Sequence, residues 1–154
     1  MAIAASNLTN GVQNSASTSV TTASVAPTSN ALVLVSVASQ VASAAAPTIS
    51  GGGIPTWVLV GTQLDTSASR LVSMFRGLSA SPTSGTIVIS FGAVSQSNIC
   101  WSVDQFTGAD TSGTNGSGAI VQFVGGGAEG GSLTALLKSR LCRSMWKGLA
   151  LPKK

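Results

Sequence analysis

The chain has 154 residues, of which 44% are hydrophobic and 8% charged, with a formal net charge of +4 and no histidine. That length suits one domain with its own core, free of any need for disulfides or metals, and the Val, Ile and Leu runs exclude the signature of a disordered chain. A freely soluble domain usually carries about a quarter charged residues, so this neutral, Ser/Thr-rich composition points to a surface packed against neighbours or borne on an extracellular particle.

Residues 1–19 are Asn, Ser, Thr and Ala with little periodicity, and read as an N-terminal arm that is ordered only if something holds it. Met1-Ala-Ile-Ala-Ala-Ser has no basic n-region, so no secretory leader is expected. Short β-branched runs then alternate with turn clusters. The first strand is expected over 20–25, stopped by Pro27-Thr-Ser-Asn30. The second, over 32–37, is apolar on both faces and belongs in the middle of a sheet. The most apolar stretch, 31–46, is broken by Ser36, Ser39, Gln40 and Ser43 and is too short and polar to span a bilayer. Beyond the breaker at 50–55, with its three glycines, strands are expected over 57–60, 70–76, 86–91, 99–106 and 119–124. In 99–106 the alternation is imperfect, which predicts one core face and one mixed face. No segment before Leu133 has a helical period long enough for a parallel crossover. The prediction is an all-β fold, an antiparallel β-sandwich or jelly roll of seven to eight strands over 20–134.

The character changes after that. Leu133, Leu137, Leu141 and Met145 recur every fourth position with Leu136 on the same face, while Arg140, Arg143 and Lys147 gather on another. This predicts an amphipathic helix capped near Ser132 and ended at Gly148, within a basic C-terminal segment, 135–154. Before Lys138 four acids face two arginines; from there onward come Lys138, Arg140, Arg143, Lys147, Lys153 and Lys154 with no acid. The basic balance therefore belongs to the tail, and neither nucleic-acid nor membrane binding is expected of the domain. Two uses of the helix stay open: closing an edge of the sandwich with its cations solvated, or docking those six cations on an acidic partner.

Chemistry is hard to find. General acid/base work needs a histidine or a carboxylate pair with split pKa values; here the one nearby acidic pair is Asp104 and Asp110, read as turn residues, with a weak calcium site as the lesser alternative. Serines lack a histidine or an SxxK lysine. The triplets at 51–53 and 125–127 lack a phosphate-loop context. Cys100 and Cys142 form no metal spacing and read as two buried free thiols. The sequons at Asn7 and Asn115 match by chance-level pattern. Trp57, Trp101 and Trp146 sit in apolar periodic runs and read as core rather than sugar platforms. The expectation is a protein that is not an enzyme and uses no cofactor.

The order Pro27-Thr-Ser-Asn-Ala-Leu-Val-Leu-Val35, Ile49-Ser-Gly-Gly-Gly-Ile-Pro-Thr-Trp57, Asp104-Gln-Phe-Thr-Gly108 and Asn115-Gly-Ser-Gly-Ala-Ile-Val-Gln122 resembles a β-sandwich domain of tailed-phage and prophage virion proteins, over roughly 20–134. The resemblance implies a jelly-roll-like module of the kind used in capsid decoration (cement) proteins or in tail and fibre parts, with no catalytic residues to carry over. The similar domains continue past Ser132 with further strands, whereas this chain turns basic, so a neighbouring subunit is expected to supply the missing edge cover. The expected role is a virion protein on the capsid surface, binding the major capsid protein or other virion subunits as a homo-oligomer, a trimer being favoured. The alternative is a receptor- or glycan-binding module of a tail fibre or adhesin, which would expose an aromatic side chain.

Overall fold

The strands are set by where β-branched runs meet turns that only certain residues can make. In the computed structural model, which describes residues 2–40, 45–65, 69–120 and Phe123, eight strands form two antiparallel sheets. They are β1 (Ala4–Gln13), β2 (Ser19–Thr21), β3 (Leu32–Gln40), β4 (Thr48–Gly51), β5 (Val58–Asp65), β6 (Arg70–Leu78), β7 (Ile87–Ser90) and β8 (Asn98–Thr107). The larger sheet has the order β1-β8-β3-β6-β5 and the smaller the order β2-β7-β4. The pairs β1–β8, β2–β7 and β3–β6 are nested as in a long hairpin rolled up on itself. β5 leaves that pattern, pairing with β6 and not with β4.

β3 is central, as its two apolar faces require. Val33, Val35 and Val37 are essentially fully buried and fix which face points inward. Paired residues of antiparallel strands share a face, so Phe75 and Ser73 of β6 and Val103 and Trp101 of β8 point the same way. From the smaller sheet, Val20, Ile87 and Ile89 meet them, and these residues with Ile99, Val25 and Ile54 make one core. Each fully buried Val or Ile here contributes on the order of 1.5–3 kcal/mol over its exposed state.

The expected N-terminal arm does have something to hold it, and that holder is its own chain. Residues 4–13 run along β8 from Ala4 opposite Thr107 to Gln13 opposite Ile99, with a bulge between Asn7 and Thr9. Leu8, displaced by the bulge, packs against the core. Strand 20–25 is shorter than expected: β2 ends at Thr21, and Val25 makes only an isolated bridge with Gly85. At Thr22 the side-chain Oγ1 accepts the Ile87 amide at 3.0 Å, carrying the contact one residue past the ladder.

Two expectations are corrected. The strand anticipated over 119–124 is not formed at its start: Ala119 closes a short 3₁₀ segment, Thr114–Ala119, which is kinked where Asn115 and Gly116 adopt positive, non-helical φ (52° and 74°). The expected buried thiol of Cys100 is exposed, since Cys100 lies on the face of β8 opposite Ile99 and Val103. The helix expected over 133–148, together with Cys142 and Trp146, falls outside the described residues.

Candidate interaction surfaces

Five strands cannot be covered by three. On β5, Leu59 pairs with Phe75 and Leu64 with Leu71, so both point toward the smaller sheet. Leu59 is nonetheless 43% and Leu64 42% exposed, whereas Phe75 and Leu71 are each 5% exposed. The difference follows position in the sheet: β6 is an inner strand and β5 an edge strand, whose inward side chains are left largely uncovered. Trp57 marks the boundary, half-buried against the core with its Nε1 donating to the Gly51 carbonyl at 3.1 Å. Among the described residues, β1, β5, β2 and β4 each have one side without a ladder partner. Such edges are templates for strands from elsewhere.

The outer face of the larger sheet is a second surface. One row across it holds Gln63, Val72, Ala38, Cys100 and Val12, on β5, β6, β3, β8 and β1 in turn. Val72 is 46% and Val12 59% exposed. At one end this face is covered by the chain itself: Gly116 of the 3₁₀ segment packs on Leu32 and Leu78, where an added β-carbon would crowd Leu32 at 2.8 Å. Further along, the Phe123 ring lies over Gly61, a position closed to any larger residue.

Near β1 the same face is polar. Asn7 Nδ2 donates to Asp104 Oδ1 (2.9 Å), Ser102 Oγ (3.1 Å) and the Val103 carbonyl (3.2 Å). Ser102 Oγ donates to Asp104 Oδ2 at 2.8 Å, and Asn10 donates to Asn7 Oδ1 at 3.0 Å. This network fastens the bulged edge strand to β8. It engages the Asn7 amide nitrogen, the atom that glycosylation would modify.

The residues singled out for chemistry are not drawn together. Asp104 belongs to that network, and Asp110 has local partners of its own. The Ser112 amide donates to Asp110 Oδ1 at 2.8 Å, and hydrogen bonding from Ser112, backbone first and side chain second, holds the Asp110 carboxyl below the ordinary aspartate value. Among the described residues no three His, Cys, Asp or Glu side chains cluster as a metal site would need. Trp101 lies over Gly11 on the core side of β8, its Nε1 buried and without a partner among the described residues. The six cations proposed as partner contacts, Lys138, Arg140, Arg143, Lys147, Lys153 and Lys154, lie outside the described residues.

Comparison with protein-family models, curated proteins and solved structures finds no match. The two surfaces therefore have to be interpreted on their own physics. Sequence reasoning missed both. The outer row was within reach, since placing Ile99 and Val103 inward puts Cys100 outward. The exposure of Leu59 and Leu64 was not, because it depends on how many strands the opposite sheet has.

Proposed function

We propose that this protein is a non-enzymatic structural subunit that works by packing against other protein surfaces, and specifically a decoration (cement) protein on the outer face of a phage capsid shell. The observation that carries the reading is the exposed inner side of the larger sheet's edge strand, where Leu59 and Leu64 of β5 are aimed inward yet uncovered, while β4 is likewise an edge of the smaller sheet. A neighbouring strand added there would cover apolar side chains and complete backbone hydrogen bonds in one step. Low surface charge removes the usual barrier to such packing. A symmetric homo-oligomer, a trimer before other orders, would repeat the contact, and many copies on one shell would add avidity. The virion assignment rests on the sequence resemblance.

The glycan-binding alternative calls for an exposed aromatic platform. Trp57 and Trp101 both pack against the core, which argues against it. The test is stepwise release of purified particles in chaotrope, with copy number compared to the shell protein. Release from the shell at a fixed ratio to the major capsid protein is expected. Co-release with tail components would defeat the decoration reading, and absence from particles would defeat the virion reading altogether.

A further inference from the structure

We propose that the uncovered edge at β5 is filled by a second copy of this chain, the two β5 strands pairing antiparallel across a twofold axis at Thr62 and joining the larger sheets of two protomers. The inference rests on the structural-subunit reading and names the occupant of its edge. Leu59, Thr62 and Leu64 pair with Phe75, Ser73 and Leu71, so they share the inner face, and all three are exposed. Val60, Gly61 and Gln63 between them are half-buried, and Phe123 already lies over Gly61 on the outer face. The exposure of β5 is therefore one-sided and uncharged. The strand also lacks the proline or lysine that guards many edges.

Register selects a second copy. In a regular strand Leu59 and Leu64 would fall on opposite faces; the extra residue, Val60, between Leu59 and Gly61 puts both on the inner one. With Thr62 opposite its own copy, Gly61 faces the partner's Gln63, and the bulge carries Leu59 to a place opposite the partner's Leu64. Inner side chains then meet inner ones and outer meet outer throughout, as antiparallel pairing requires. On the inner face, two leucine pairs flank the threonine pair. Charge agrees with this register. Val58 falls opposite the partner's Asp65, which brings that carboxylate into the row of Arg76, the ladder partner of Val58. The two Asp65 carboxylates lie at opposite ends of the contact. A twofold contact closes at two copies, so the order it sets is a dimer in place of the trimer. One strand pair lies at the small end of specific interfaces, so the dimer should dissociate on dilution.

The full chain is tested by sedimentation velocity from about 1 to about 500 µM. The native chain should pass from monomer to dimer mass across that range. T62D, at an exposed site, sets two carboxylates face to face on the axis and should stay monomeric with an unchanged strand signal in circular dichroism. Register is read by oxidative cross-linking in the C100S/C142S background, which has no other thiol. T62C should bridge to its own copy, because directly opposed Cα atoms lie about 5 Å apart, within disulfide reach. L59C mixed with L64C should bridge at least about tenfold faster than either alone, since each lies several residues from its own copy. A native chain that stays monomeric, an oligomer that T62D leaves intact, or Q63C bridging faster than T62C would overturn the proposal. Each of these leaves the structural-subunit reading to its own test on particles, and absence from particles would leave the dimer standing.

Discussion

A β-carbon at Gly53 would collide with the Thr83 backbone, and φ there is +72°. Both the close approach and the left-handed backbone call for glycine. Gly92 shares the backbone requirement, with φ +64°, but has nothing within 4 Å of an added β-carbon. Gly53→Ala should therefore destabilise by about 2–4 kcal/mol and Gly92→Ala by only about 1 kcal/mol, read from urea midpoints at unchanged slope. Equal costs would show that backbone conformation alone matters at Gly53. Asp110 supplies a pH-dependent counterpart. Its folded pKa is depressed by Ser112, so the interaction contributes fully above the unfolded aspartate value, about 3.9, and is lost as pH falls through the lower folded value. A carboxyl NMR titration should place the Asp110 midpoint below that of a free aspartate. Ser112→Ala should bring it part of the way back, and Ser112→Pro, which removes the amide donor, further still.

Strands differ in how much of them the sequence announces. β3, β6, β7 and β8 lie within a residue or a few of their expected limits because each joins a β-branched run to a turn cluster. β1 is nearly silent: Ala-Ala-Ser-Asn-Leu-Thr-Asn-Gly-Val-Gln has little strand propensity and forms through a ladder with β8, some ninety residues away in sequence. Thr48–Gly51 of β4 is hidden for the same reason, its order coming from Ile49 against Ile89 of β7. Asp104 was legible as a candidate, whereas its donors Asn7 and Ser102 emerge only from the pairing of β1 with β8. The uncovered edge at β5 likewise divides residues that composition treats alike. Ile89 is fully buried, and Ile89→Ala should cost about 2–5 kcal/mol. Leu59→Thr and Leu64→Thr, at sites left open by the smaller sheet, should each cost less than about 1 kcal/mol in the isolated protein. If the two leucine changes prove as costly as the isoleucine change in the same denaturation series, something already covers β5.

At the scale of the whole molecule, charge is separated from fold. The described residues carry Asp65, Arg70, Arg76, Asp104 and Asp110, nearly balanced, while six cations follow from Lys138 onward. On the proposed role, the chain would attach to a shell by two means with different responses to salt. Apolar packing around Leu59 and Leu64 is insensitive to ionic strength or strengthened by it. Attraction of the cations to an acidic partner weakens as the screening length falls from about 10 Å at 0.1 M salt to about 3 Å at 1 M. Co-sedimentation with purified shells at these two concentrations should thus show binding weakened by about an order of magnitude but not abolished. The sixfold variant K138Q/R140Q/R143Q/K147Q/K153Q/K154Q should bind at the weakened level at both concentrations, because it keeps the apolar contact alone. Binding that ignores salt in the native chain would assign the cations to solubility. Complete release at high salt would mean that the edge strand β5 contributes nothing to attachment, and would remove the observation on which the structural-subunit reading depends.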